Sequence, residues 1–141
     1  MTVTEHWYSK NILMMQRHLP SCRMEFDRTE GTWIKLRQFP LPRNFDVPRS
    51  TDLLFLLAGI TRPITTPPLC FYLDQHLRTR GGRTPDHIFN VGSVHQWPDL
   101  SRQGYALYCV MLKEWNPALD VVSGDNLLTV VNTIYSTLAE L

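Results

Sequence analysis

Three cysteines, Cys22, Cys70 and Cys109, are the nucleophiles this sequence offers. A thiol does acyl chemistry only as an accessible thiolate, usually with a base nearby. Cys22 and Cys70 sit in apolar, strand-like segments and read as core thiols, free cysteine being among the most buried residue types. Cys109 lies in Tyr105-Ala106-Leu107-Tyr108-Cys109-Val110-Met111-Leu112 and, judged by these neighbours alone, is also core. The odd cysteine count without short spacing argues against a disulfide framework and points to a reducing compartment. The histidines are His6, His18, His76, His87 and His95. Three of them fall between residues 74 and 103, where a Cys–His pair would have to be assembled by the fold. The same segment holds Arg78, Arg80 and Arg83 around Gly81-Gly82, a set able to hold an anion or simply to be solvated. No aromatic residues interleave these arginines, which disfavours RNA. Cys-x-x-Cys, P-loop, GxGxxG and HExxH are absent, so no metal or cofactor is expected.

The elements that would position these groups follow from periodicity. Thr2-x-x-Glu5 suits a capping box, and Tyr8, Ile12, Met15 and Leu19 recur at helical spacing up to Pro20. This predicts a helix over 4–18. Cys22, Met24 and Phe26 alternate with polar residues, Glu30-Gly31 reads as a turn, and Trp33 to Phe39 continues extended: a hairpin. After Pro40-Leu41-Pro42 and a loop to Pro48, the apolar run Asp52–Ala58 predicts a strand buried on both faces. Gly59–Thr66 reads as a loop. Pro67-Pro68 leads into Leu69–Leu73, the expected fourth strand. Residues 74–103 read as a loop of about 30 residues, long enough to be functional or mobile. Tyr105–Leu112 is apolar again, and Trp115-Asn116-Pro117-Ala118-Leu119 reads as a turn. Leu127, Val131, Ile134 and Leu138 predict a final helix capped by Ser123 or Asp125, with a strand as the alternative because Val, Thr and Ile are abundant. The expectation is one α+β domain over 1–141: helix, four-stranded antiparallel meander, long loop, C-terminal helix.

Composition limits function. The chain has 141 residues, 43% hydrophobic and 19% charged, with Lys+Arg 14 against Asp+Glu 13 for a net charge of +1. Nothing in that balance asks for nucleic acid or an anionic membrane as partner. Apolar runs fall well short of the roughly 20 residues a bilayer span needs, and the N-terminus lacks a basic n-region and an h-region. A cytoplasmic protein is expected.

The order of elements and three local motifs resemble the ubiquitin-conjugating enzyme fold over about residues 4–139. Leu53–Leu57 followed by Arg62-Pro63-Ile64-Thr65-Thr66-Pro67-Pro68 looks like that fold's third-strand exit and YPxxPP element, with Arg62 in place of the Tyr and the proline spacing one residue longer. Phe71–Arg78 resembles the fourth strand leading to the His-Pro-Asn motif, whose place is taken by His76-Leu77-Arg78. Cys109 ahead of Trp115-Asn116-Pro117-Ala118-Leu119 looks like the active-site cysteine and W-x-P-A-L segment, although six residues is a closer spacing than usual. Phe39-Pro40-Leu41-Pro42 with Phe45, Thr79-Arg80-Gly81-Gly82-Arg83-Thr84-Pro85, and a single C-terminal helix resemble the short bacterial members found beside ubiquitin-like and activating-enzyme genes, which are associated with antiviral defence.

The resemblance implies an acyl carrier. Cys109 would accept a ubiquitin-like protein from an activating enzyme as a thioester and pass it to a target protein. Asp120 would position or deprotonate the incoming amine, its bland alternative being a turn or cap residue. His76 is the third candidate catalytic residue. With His-Pro-Asn absent, Asn90 or Asn116 are candidates for the oxyanion donor. The 74–103 loop would receive the extended tail of the ubiquitin-like protein, and helix one would dock the activating enzyme. Two other function classes compete: a non-catalytic module that binds a ubiquitin-like protein, and a thiol hydrolase using Cys109 with a loop histidine.

Overall fold

A computed structural model describes residues 3–45, 49–57, 70–82, 88–89, 98, 100–109, 112, 114–118 and 120–140. In chain order these form α1 (Val3–His18), β1 (Arg23–Phe26), β2 (Trp33–Pro40), β3 (Ser50–Leu56), β4 (Cys70–Asp74), β5 (Ile88–Phe89), a short 3-10 turn (Ser101–Gln103), β6 (Tyr105–Cys109) and α2 (Leu127–Ala139). The strands make one six-stranded sheet in the order β1-β2-β3-β4-β6-β5, every neighbouring pair antiparallel.

The α+β class, the N-terminal helix, the four-stranded meander and the C-terminal helix are as expected. The strand count is not. Tyr105–Cys109 returns to pair with β4 over five residue positions, and Ile88–Phe89 adds a short edge strand within the segment expected to be all loop. Without β6, the meander would end on β4 with a row of unsatisfied backbone groups. The Tyr- and Leu-rich run after the loop fills that edge.

β1 and β2 pair from Phe26↔Ile34 to Arg23↔Arg37. Their connection is organised by Asp27. Its Oδ1 accepts from the backbone N–H of Thr29 at 2.9 Å and of Glu30 at 3.1 Å, and its Oδ2 accepts from the Thr32 N–H at 3.0 Å and Thr32 hydroxyl at 2.6 Å. These donors favour the ionised form and hold the Asp27 carboxyl well below its usual range, the Thr32 hydroxyl contributing most. Gly31 then takes φ +66, a left-handed conformation that glycine adopts without a Cβ penalty.

β3 corrects a second expectation. It is not buried on both faces: Thr51, Leu53 and Phe55 are buried while Asp52, Leu54 and Leu56 are half-buried, an alternation of period two. The apolar run concealed that period because Leu fills both phases. At β4 the situation reverses. Phe71, Tyr72 and Leu73 are all fully buried, because this part of the sheet is covered twice. On one face Phe71 and Leu73 join the main core with Trp7, Tyr8, Ile12 and Met15 of α1 and Val130, Val131, Ile134 and Leu138 of α2. On the other, Tyr72 and its register partner Leu107 are fully buried outside that cluster, and the Tyr72 hydroxyl donates to the Pro98 carbonyl at 2.7 Å. Pro98, from the long connection, therefore meets this second face.

The two helices are joined by a buried asparagine. Asn11 Nδ2 donates to the Trp7 carbonyl at 2.8 Å, and Asn11 Oδ1 accepts from the Leu127 N–H at 2.8 Å. Leu127 opens α2, so this bond satisfies one of the backbone donors a helix start leaves without an intrahelical partner. The cap of α2 is Asn126, not Ser123 or Asp125. Asn126 Oδ1 accepts from the Thr129 N–H and the Thr129 hydroxyl accepts from the Asn126 N–H, a reciprocal capping box. Asn126 Nδ2 also donates to the carbonyls of Val121 and Gly124, fixing the preceding turn. The capping box expected at Thr2 falls on residues outside those described.

Candidate functional site

Cys109 is the last residue of β6, and antiparallel register sets it directly opposite Cys70, the first residue of β4. Opposed residues in such a ladder have Cα atoms about 4.5–5.5 Å apart, within the range a disulfide spans. Cys70 is disulfide-bonded, and Cys22 is a free thiol. The expectation that Cys70 is an inert core thiol, and that the chain carries no disulfide, is thereby corrected. An odd count and wide sequence separation say nothing about cross-strand register, which the fold alone creates. Cys22 does behave as a partly buried thiol, its pKa pushed up by burial.

The segment following Cys109 includes Trp115, partly buried against the core, and Asn116-Pro117-Ala118. This stretch is held against the turn before α2. Asn116 N–H donates to Asp125 Oδ2 at 2.7 Å, and Asp125 N–H donates back to the Asn116 carbonyl at 2.9 Å. Gly124 packs so closely beneath it that an added Cβ would stand 2.5 Å from the Asn116 carbonyl oxygen and 2.6 Å from the Ala118 nitrogen. Asp125, expected as a helix cap, is thus the anchor of this segment. Asn116, one candidate oxyanion donor, is exposed here; Asn90 lies outside the described residues.

Asp120 is exposed and engaged locally. Its carboxylate accepts from the Ser123 hydroxyl at 2.8 Å and from the Val122 N–H at 3.2 Å. These bonds, Ser123 foremost, lower its pKa, with a further lowering from Lys10. A carboxylate so held is a weaker base than an unperturbed one. Its geometry is that of a turn anchor.

His76 follows β4 at its far end. The ladder runs from Cys70↔Cys109 to Asp74↔Tyr105, four residue steps, or about 13 Å along the strands. A proton-transfer partner must come within about 3 Å, directly or through one water. His76 and Cys109 are therefore not brought together, and a Cys109–His76 hydrolase pair has no geometric basis. His87 and His95 lie outside the described residues. His76 instead lines a polar cleft of about 360 Å³ with Ser50, Thr51, Asp52, Asp74 and Tyr105. Asp74 Oδ1 accepts from the His76 N–H, and the Thr51 hydroxyl oxygen accepts from the Asp74 N–H. Asp52 accepts from the Gln38 N–H and lies 3.6 Å from the Arg37 guanidinium. Sequence reading passed over this cleft because Asp52 opens one apolar run and Asp74 follows another; only strand phase turns them to the same side.

The arginine segment is tied down on its N-terminal side. Arg78 Nη1 donates to the Leu77 carbonyl at 2.7 Å, and Arg80 N–H donates to the Asn44 carbonyl at 2.7 Å. Asn44 Nδ2 in turn donates to the Leu138 carbonyl near the end of α2. Gly81 and Gly82 both have positive φ, so this turn needs glycine. Arg83 lies outside the described residues.

Among the described residues no group of three or more His, Cys, Asp or Glu could hold a metal ion, and no helix is long and apolar enough to cross a membrane. No known family, no curated protein and no solved structure matches this chain.

Proposed function

We propose that this chain is a ubiquitin-conjugating-like enzyme that carries a ubiquitin-like protein as a Cys109 thioester. The observation that carries the reading is the placement of Cys109. It ends a strand of a helix-flanked antiparallel sheet and leads into a Trp-Asn-Pro-Ala segment locked by Asp125 and Gly124. A strand end fixes the backbone that carries the sulfur, and the locked segment follows in the chain. A thioester needs little catalytic apparatus. The Cys109 thiolate attacks the thioester carbonyl of the charged activating enzyme, the tetrahedral oxyanion collapses, and the enzyme's own thiolate leaves. A target amine then attacks the Cys109 thioester, releasing the Cys109 thiolate. Asp120, held ionised by its turn, and His76, at the far end of the ladder, act outside the reacting atoms in this scheme. The activating enzyme, the ubiquitin-like protein and a target protein are the partners, in a bacterial cytoplasm and an antiviral setting.

The test is a charging reaction with the activating enzyme and ubiquitin-like protein encoded beside the gene, run with ATP on non-reducing gels. A thiol-sensitive adduct on the parent, absent from Cys109→Ala and replaced by a thiol-resistant oxyester on Cys109→Ser, is the expected result. The second reading is a non-catalytic module that binds a ubiquitin-like protein. The disulfide at Cys70 and the separation of His76 from Cys109 favour it. Binding without any adduct from the fully reduced protein decides for that reading.

A further inference from the structure

We propose that Cys70 and Cys109 form a reversible cross-strand disulfide that switches acyl carriage off under oxidation, an inference that rests on Cys109 being the carrier. Two independent facts converge. Register opposes the two residues at the terminal pair of the β4–β6 ladder, and Cys70 is disulfide-bonded. The remaining cysteine is excluded as partner. Cys22 is free and precedes β1, three strands from β4, or about 14 Å across the sheet. Position also makes the bond reachable. The next pairs along the ladder, Phe71↔Tyr108 and Tyr72↔Leu107, are fully buried, whereas Cys70 is only partly so. A terminal bond can be attacked by a reductant without opening the sheet.

The chemistry balances with a hydroperoxide as oxidant. One thiolate attacks the peroxide oxygen, giving a sulfenic acid and releasing an alcohol, or water from hydrogen peroxide. The other thiol attacks the sulfenic sulfur and expels water, leaving the disulfide. A dithiol reverses it by thiol–disulfide exchange and ends as its own cyclic disulfide. While the bond stands, Cys109 has no thiolate to offer an incoming thioester. Cys70 thus acts as a resolving cysteine, and oxidation is stored as a blocked but undamaged nucleophile.

The test uses the full chain. Hydrogen peroxide is added and removed, and thiols are then counted by maleimide labelling in denaturant and by intact mass. Labelled cysteines should fall from three to one, with Cys22 retaining its label and a peptide map linking Cys70 to Cys109. Dithiothreitol applied to the native protein should restore all three. Charging should drop at least tenfold after peroxide and recover with the labels, whereas Cys70→Ser, with no thiol to resolve the sulfenic acid, should gain oxygen at Cys109 by intact mass and fail to regain full charging with dithiothreitol. Three labels after oxidation, a link to Cys22, or a bond that native-state dithiol cannot open would each overturn the switch. Failure of the fully reduced parent to charge would overturn the carrier reading and the switched activity with it, the mass and label counts still deciding the disulfide on their own.

Discussion

Truncating Asn11 to alanine should cost about 2–4 kcal/mol of stability, although Asn11 is polar and lies on a surface helix. The side chain is fully buried and makes two bonds of 2.8 Å. The Trp7 carbonyl also lies within α1, where the helical ladder reaches it, so losing Asn11 Nδ2 leaves it an acceptor already served. The Leu127 N–H is different. It is at the first turn of α2, has no intrahelical acceptor, and would be stranded in a dry interior. Stranding a buried donor costs about 1–3 kcal/mol, and the cavity left by the amide adds about 1 kcal/mol more. With a urea slope of about 2 kcal/mol per molar, the unfolding midpoint should fall by about 1–2 M. Tryptophan fluorescence can follow the transition because Trp7, whose carbonyl accepts from Asn11, is fully buried. Asn11→Leu separates the two contributions. It fills the cavity and still strands the Leu127 donor, so it should remain at least about 1 kcal/mol below the parent. A neutral or stabilising Asn11→Leu would refute the reasoning, since the Leu127 donor would then have no need of Asn11.

Three further outcomes are expected. Gly124→Ala should cost about 2–3 kcal/mol by urea unfolding, because its Cβ would meet backbone atoms of Asn116 and Ala118 that cannot swing away. Burial pushes the Tyr8 phenol up to about 12, against 10.0 for the free group, and its hydroxyl donates to the Trp33 carbonyl at 2.8 Å. The folded state thus prefers the neutral phenol, so its contribution is intact below pH 10 and is lost as pH climbs toward 12; Tyr8→Phe should flatten that part of a stability-against-pH curve. Asp27 has the opposite sign: its folded pKa is depressed, so its contribution is present above about pH 4 and disappears on acidification. Asp27→Asn should shrink the acid-side slope of thermal unfolding, and an unchanged slope would place acid sensitivity elsewhere.

The helices and the first hairpin were legible because their signals are local. Tyr8, Ile12 and Met15 follow helical spacing and are all buried, and the 3.6-residue period in Leu127, Val131, Ile134 and Leu138 outweighed the β-branched content that left a strand open. Even so, Trp7 and Asn11, both fully buried on α1, lay outside that stripe. Local signals misled where one residue type served two phases. Leu on both sides of β3 imitated a doubly buried strand, although only every second residue is buried. The true doubly covered strand, β4, looked no different in sequence, because its second cover arrives from Pro98, far along the chain.

Residue spacing thus determined the two helices and the first four strands and which cysteine precedes the Trp115–Ala118 segment, and composition set a net charge of only +1. Tertiary structure alone decided that Cys70 faces Cys109 and that His76 stands at the other end of the ladder. The physical reason is common to both. Periodicity along a chain fixes which face a side chain takes on its own element. Register between strands, and the docking of one helix start on another helix, depend on how a connection of about 30 residues folds back, and no local pattern encodes that return.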